Sequence, residues 1–398
     1  MPDVARKEDR FLLFLTCILV LVGLMMIYSA SNVIAFKKYG EGSYFLIRQM
    51  IWAAIGMALL YGVSWIPYRF WQKWAMVLTL GAIILLGLVL VPGLGVEING
   101  ARRWFQVGPL TFQPSEFSKL ALIIYVAHYL AKHHEKRPGV TGLKDWSGWG
   151  RNGHSGILRK VRIERKGLTQ FLGGLLPVLS VAGLGLVLIV VEPDLGTAVT
   201  LGLVILIMLF VAGAKLLHLS MLGLCLLPVL AYLVLGTEYR RQRWLSYLDP
   251  WQDPNDTGFQ IIQSFLAFGA GGEFGVGLGE GRQKLLFLPY PHTDFIFSVI
   301  GEELGLVGTL IVLACFMLLV WRGIRLSIRV TDPFGQFLAV GMTLMIGLSA
   351  LINLGVVTGL LPTKGLPLPF LSYGGSSLVA NLVGMGFLLS ISRYREAL

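Results

Sequence analysis

Apolar runs with little or no charge recur along the chain at 11–30, 46–66, 72–91, 114–131, 168–191, 197–213, 216–236, 295–320, 334–358 and 376–392. Each approaches the span of about 20 residues that a helix needs to cross the hydrocarbon of a bilayer. The pattern predicts an all-α polytopic membrane protein with about ten transmembrane helices. The runs at 46–66, 114–131 and 295–320 are the most interrupted, because Arg48, Lys119, Glu302 and Glu303 lie near their ends. The segments between runs are unequal. Residues 132–167 are basic and rich in Gly, whereas 92–113, 237–294 and 359–376 are long and crowded with Gly, Pro, aromatic and charged groups. Connections of that length are uncommon without a function. Within 258–279, glycines break an apolar stretch too often for a full span, so it is expected to lie in the interface or to re-enter the membrane against protein.

Composition supports the membrane reading. Of 398 residues 55% are hydrophobic and only 14% charged, against about 25% charged in a soluble domain, and mean hydropathy is +0.72. The first run is not a cleavable signal, since Tyr28, Lys37 and Lys38 follow it instead of a small-residue cleavage site. Ten of the 33 Lys and Arg fall in 132–167, which marks that segment as a cytoplasmic loop and puts both termini in the cytoplasm. The net charge of +11 is then the consequence of basic inner loops facing anionic lipid, and no nucleic acid is needed as a partner. Cys17, Cys225 and Cys315 all lie in apolar runs, so they form neither a disulfide framework nor a metal set. His133, His134 and His154 sit among cations with no acid or cysteine at ligand spacing. Residues 1–398 read as a single membrane domain, with 132–167 as the basic cytoplasmic loop and 237–294 as a large extracytoplasmic loop.

Ionisable groups at the edge of the hydrocarbon are costly and therefore candidates for function. On the outer side they are Arg102, Arg103, Glu116, Lys119, Glu192, Asp194, Arg240, Arg241, Arg243, Arg282, Lys284, Asp294, Glu302, Glu303 and Lys364. Glu116 and Lys119 are three apart in a helix opened by Pro114, and so share a face; a structural ion pair and a place beside substrate are both compatible with that spacing. Glu192-Pro193-Asp194 reads as a tight turn with Asp194 at the start of the next helix. Arg240, Arg241, Arg243, Arg282 and Lys284 run against the insertion bias. They suit an anionic head group, with plain solvation as the other reading. Asp294 precedes the run FIFSVIG and is either a helix cap or a general base, its pKa raised by desolvation and lowered by cations. Gly275, Gly277 and Gly279 follow no βαβ pattern and are not a dinucleotide fingerprint. No phosphate loop, zinc motif or nucleophile elbow is present.

Five segments occur in a fixed order: Asn99-Gly100-Ala101-Arg102-Arg103-Trp104; Phe112-Gln113-Pro114-Ser115-Glu116-Phe117-Ser118-Lys119; Glu192-Pro193-Asp194-Leu195-Gly196-Thr197; Leu288-Pro289 with His292-Thr293-Asp294-Phe295-Ile296-Phe297; and Leu368-Pro369-Phe370-Leu371-Ser372-Tyr373-Gly374-Gly375-Ser376-Ser377. From about residue 20 to 392 the chain resembles the SEDS family (shape, elongation, division and sporulation). The first segment and Leu361-Pro362-Thr363-Lys364-Gly365 are similar to the division branch more than to the elongation branch.

The resemblance implies a peptidoglycan glycosyltransferase of the bacterial cytoplasmic membrane, at the division septum. Its substrate would be lipid II, a disaccharide-pentapeptide on undecaprenyl pyrophosphate, polymerised on the outer face. Its partners would be a class B penicillin-binding protein and other divisome membrane proteins. The family's essential aspartate falls on Asp294, as base in an inverting transfer, and its paired acid and lysine on Glu116 and Lys119. A pyrophosphate leaving group needs neutralisation more than protonation, so one carboxylate suffices where a glycosidase needs two. Arg102, Arg103, Arg243 and Lys284 would hold pyrophosphate, with His292, Lys364 and Ser372 completing the substrate-binding set. No organic cofactor is expected, and a divalent cation such as Mg²⁺ stays open. Tyr290-Pro291 stands where the family commonly has Glu-Ala, which alters loop shape. A lipid II flippase would show polar groups through the membrane depth, whereas here they gather at one edge; a non-enzymatic division scaffold would tolerate loss of Asp294. In a cysteine-free background, Ser147→Cys is expected to react with an impermeant maleimide only after permeabilisation and Asp256→Cys in intact cells. The reverse pattern overturns the orientation.

Overall fold

The computed structural model describes residues 9–394 except Asn99, Pro109, 136–166, Thr237, Asn255, Thr257, Leu286, Phe287 and Lys364. Most of the expected cytoplasmic loop 132–167 and the candidate Lys364 therefore lie outside the described residues. Three helices, α1 (Arg10–Tyr39), α2 (Tyr44–Trp65) and α3 (Tyr68–Val89), precede a small antiparallel sheet of β1 (Val96–Ile98), β2 (Ala101–Val107) and β3 (Leu110–Phe112). Next come α4 (Pro114–Glu135), α5 (Gly167–Val191), α6 (Leu195–Val211), α7 (Leu216–Leu235), α8 (Glu238–Leu248) and α9 (Phe259–Gly271). The chain finishes with α10 (Ile296–Arg329), α11 (Pro333–Val357) and α12 (Gly375–Ser392).

Each of the ten predicted runs coincides with a helix, α1–α7 and α10–α12. Seven of these (α1, α2, α3, α7, α10, α11 and α12) are long and apolar enough to cross a membrane on their own. The polar helix α4 is shielded by protein: from Gln113 to Ala127 every residue but Phe117 is buried, in a site formed by α3, α6 and α11. That enclosure is what admits Glu116 and Lys119 so close to hydrocarbon. At the centre stand α11 and α12, the latter lying along α2. In the apolar window of α7, by contrast, 0% of residues are buried.

Three features depart from the expected pattern. The segment 92–113 holds the three strands, paired as Val96 with Trp104 and Phe105 with Phe112, and two additional helices, α8 and α9, lie in the 237–294 loop. At 34 residues α10 holds more than the roughly 20 that a single crossing needs. It is also broken. Gly305 sits at φ 66°, ψ −163°, a region open essentially to glycine, and a side chain there would run into Gly275 N and Glu273 O. The interrupted backbone is satisfied by the stretch that sequence reading placed in the interface or re-entering. Val276 N donates to Glu302 O (3.0 Å), Leu306 N to Gly272 O (2.9 Å) and Val307 N to Glu273 O (3.1 Å). Irregular backbone within a membrane protein demands such internal partners.

Helix ends follow ordinary chemistry elsewhere. Asp9 accepts from Leu12 N at the start of α1, Gly40 closes that helix at φ 78°, and Asp332 caps α11 through Gly335 N. The Asp9 carboxylate also pairs with Arg322 at 2.7 Å, which fastens α1 to α10. Gly305→Ala is expected to destabilise the fold by about 1–3 kcal/mol, read as a lowered unfolding temperature in detergent, whereas Gly81→Ala, where a Cβ meets open space, leaves it unchanged.

Candidate active site

Asp294 lies in the turn before α10. That helix has Phe295 at its N-cap with no side-chain cap bond, so the capping role considered for Asp294 is not the one it plays. Its main chain is clasped from α11: Asn353 Nδ2 donates to Asp294 O at 2.9 Å and to Leu366 O at 2.7 Å. The neighbouring residues are bolted to the loop between α11 and α12 as well. Ser372 Oγ donates to Thr293 O (2.6 Å) and accepts from Leu368 N (2.8 Å), while Tyr373 N donates to His292 O (2.8 Å). From α2, Gln49 donates to Ser372 O and accepts from Gly374 N, each at 3.2 Å. The clasp uses main-chain atoms of Asp294, so its carboxyl is positioned without spending its oxygens. Gly365 approaches that carboxyl closely, since a Cβ there would lie 3.2 Å from Oδ2.

Burial raises the Asp294 carboxyl to about 6; the Arg243 guanidinium opposes the rise and Asp194 adds to it. Arg243, on α8, and the turn between α5 and α6 thereby lie within electrostatic reach of Asp294. In that turn Asp194 caps α6 through Thr197 N (3.1 Å) and accepts from Gln113 Nε2 (3.2 Å). Gln113 in turn bonds Ser115 Oγ (2.9 Å), and its main-chain N donates to Ser376 Oγ (3.0 Å) on α12. The strand pair β2–β3, α4, the α5–α6 turn and the last loop therefore meet around one spot.

The remaining candidates separate. Arg103, on β2, carries a charge that is felt at Glu192, so it belongs with this group. Arg102 forms an exposed ion pair with Glu97 at 3.1 Å, a contact of little energy that a ligand can displace. Glu116 and Lys119 form the expected i,i+3 pair at 2.8 Å, nearly buried, at the head of α4. Ser372, only 3% exposed, serves as a loop bolt with both functions of its hydroxyl engaged. His292 is buried between Phe45 (ring centroids 4.4 Å) and Tyr373 (5.6 Å), and burial lowers its pKa to about 4. It is a neutral wall of the loop that carries Asp294, not a cation.

Lys284 is placed away from the group as well. Its ammonium lies 2.6 Å from Glu303 Oε1 and donates to Ser29 Oγ (2.9 Å) and Gly279 O (2.7 Å), with the side chain 4% exposed. Glu302 accepts from Arg282 N (2.6 Å) and Gln283 N (3.1 Å). The Lys284–Glu303 pair and the Glu302 carboxylate thus form an internal strut under the 279–285 turn, each already hydrogen-bonded within the protein.

Three contributors escaped sequence reading: Gln49, Asn353 and Arg48, whose hydrogen bond reaches the Tyr373 phenol. Their signal was present, as polar residues set in the apolar runs 46–66 and 334–358. Among the described residues no three His, Cys, Asp or Glu side chains converge as metal ligands.

Glu192 is 0% exposed, and burial, with Asp194 adding and Arg103 opposing, raises its carboxyl to about 8 from an ordinary 4.5. It is therefore neutral in the folded chain near pH 7 while the unfolded chain ionises. The associated stability is whole below about pH 4.5 and is lost as pH rises through 8. Glu192→Gln is expected to match the wild-type unfolding temperature near pH 4.5 and to exceed it by several degrees at pH 8, as measured by scanning fluorimetry.

Residues 9–397 match the cell cycle protein family FTSW_RODA_SPOVE. The chain is 44% identical over 386 residues to the probable peptidoglycan glycosyltransferase FtsW of Geobacter sulfurreducens, covering 97% of this chain and 95% of that one. It is 42% identical over 394 residues to the stage V sporulation protein E of Bacillus subtilis, covering 99% of each. Among solved structures it is similar to a chain of a peptidoglycan synthase complex that coordinates polymerization and crosslinking, with TM-score 0.72, 32% identity and coverage of 97% and 98%. It is also similar to the rod shape determining protein RodA of Thermus thermophilus, with TM-score 0.66, 30% identity and 98% of each chain covered. With the fold and the whole length in agreement, the chain belongs to the FtsW/RodA/SpoVE cell cycle protein family.

Proposed function

We propose that this protein is a peptidoglycan glycosyltransferase that polymerises lipid II on the outer face of the cytoplasmic membrane during cell division, with Asp294 as general base. The observation that carries the reading is Asp294 itself. A part-exposed carboxyl is locked through its main chain by Asn353, flanked by Arg243, and raised to about 6. A base is most effective when its pKa lies near the working pH. In this reaction the acceptor 4-hydroxyl gives its proton to an Asp294 oxygen as its own oxygen attacks the anomeric carbon of the donor. The bond to the lipid pyrophosphate breaks on the opposite face, inverting that carbon, and the electron pair leaves with the pyrophosphate. Arg103 and Arg243 meet the developing charge, and Arg102 can join them by leaving its exposed partner Glu97.

Lys284 has no such part, because Glu303 already consumes its charge. A divalent cation such as Mg²⁺, where it takes part, would be held mainly by pyrophosphate oxygens with one carboxylate of the chain, the usual way Mg²⁺ is bound beside phosphates. The relatives named FtsW and the neighbour from a synthase complex support a septal role and a class B penicillin-binding protein as partner.

With that partner and fluorescent lipid II, the purified wild type is expected to produce glycan ladders on gels. Asp294→Asn should lower the rate by roughly 10²–10⁴-fold, and the wild-type rate should fall about tenfold per pH unit below pH 6. A near-wild-type rate for Asp294→Asn overturns the assignment. Vesicles that scramble labelled lipid II without lengthening it favour transport instead.

A further inference from the structure

The α5–α6 turn holds two acids that the fold treats differently. Asp194 has both oxygens in use, one capping α6 and one accepting from Gln113. Two residues earlier, Glu192 is completely buried, yet neither of its carboxyl oxygens has a hydrogen-bond partner. The turn is made without it. Buried polar groups left unsatisfied are costly, are few in native structures, and point to something that completes them. Next to it, on β2, Arg103 Nε is also buried without a partner, and the charges of the two side chains influence each other. Two unpartnered groups of opposite type, one on the turn and one on the hairpin, therefore lie within electrostatic reach of each other in the framework around Asp294.

From this juxtaposition we propose that Glu192 and Arg103 form a saccharide subsite, in which Glu192 exchanges hydrogen bonds with a hydroxyl or N-acetyl amide of the lipid-linked sugar and Arg103 donates to the adjoining phosphate. The inference rests on the glycosyltransferase reading and adds to it a residue that the reaction itself does not require. The chemistry is selective. A carboxyl that stays protonated at neutral pH offers both a donor and an acceptor, which suits an amide or a sugar hydroxyl, and it does not repel the neighbouring pyrophosphate. Burial chiefly keeps Glu192 neutral; of the charged groups facing it, Asp194 adds to that effect and Arg103 opposes it. Sugar binding is consequently expected to weaken as pH rises through about 8, well away from the titration of Asp294 near 6.

The test is equilibrium binding to the full chain in detergent, with fluorescent lipid II and with undecaprenyl pyrophosphate, which lacks the sugar. Glu192→Leu is expected to weaken lipid II binding about tenfold while leaving undecaprenyl pyrophosphate binding unchanged. Glu192→Gln should bind lipid II like the wild type at pH 7 and keep that affinity at pH 9, where the wild type loses it. Unfolding temperatures recorded alongside identify any variant that fails to fold, and the Glu192→Gln pH profile then decides alone. Unchanged lipid II binding in Glu192→Leu overturns the subsite and assigns Glu192 to packing around a buried water. Equal loss of both ligands overturns the sugar assignment. If the wild type binds lipid II and these variants behave as expected but no glycan forms, the glycosyltransferase reading fails while the subsite stands; a wild type that does not bind lipid II removes both.

Discussion

The side-chain amide of Asn353 donates from α11 to two carbonyls on different loops, Asp294 O and Leu366 O. The residue is 1% exposed, so both bonds form where water does not compete, and losing them would leave two carbonyls to find other partners. Around this amide a circuit of hydrogen bonds closes. Ser372 and Tyr373 bind the main chain of Thr293 and His292, Gln49 ties Ser372 and Gly374 to α2, and Ser376 ties α12 to the end of the hairpin. Five segments far apart in sequence are held in register by neutral hydrogen bonds, and the charged groups are placed by that register rather than by one another.

Two residues in this circuit lie where bulky side chains seldom go. Tyr290 adopts φ 52° in the turn that Thr293 closes, and Phe370 adopts φ 66° in the turn between Leu368 and Leu371. Such conformations cost of order 1–3 kcal/mol each and persist only where the surroundings over-determine them. One stands on either side of the Asp294–Leu366 clasp. The strain is therefore stored in the two loops that the hydrogen bonds hold down, as expected of a preorganised site.

Much of this organisation was legible in the sequence, for unequal reasons. Ten apolar runs gave ten helices because hydrocarbon imposes length and composition directly. The Glu116–Lys119 pair and the Asp194 cap were legible because both are local, fixed by spacing along a single helix. The strands in 92–113 were missed, since a short hairpin leaves little periodicity. Lys284 was misjudged for a different reason: nothing local reveals that Glu303 and Ser29, the latter 255 positions away, meet its ammonium. Asn353 shows the same limit, because a buried amide declares its role only through partners from other segments.

The enclosure of α4 has a consequence for how the protein is made. Among the described helices α4 is one that hydrocarbon would accept poorly by itself, yet it follows α3 in the chain and precedes by about two hundred residues the helix α11 that covers it. A charged side chain costs the translocation machinery up to about 2.5–3.5 kcal/mol at the centre of a membrane helix, and Glu116 and Lys119, near the head of α4, carry part of that cost. During synthesis α4 must therefore shelter against α3, or wait at the exit from the translocon, until α6 and then α11 arrive. The residues that bring charge into this membrane domain thus also set an order of biogenesis, in which α4 settles only once α11 has been made.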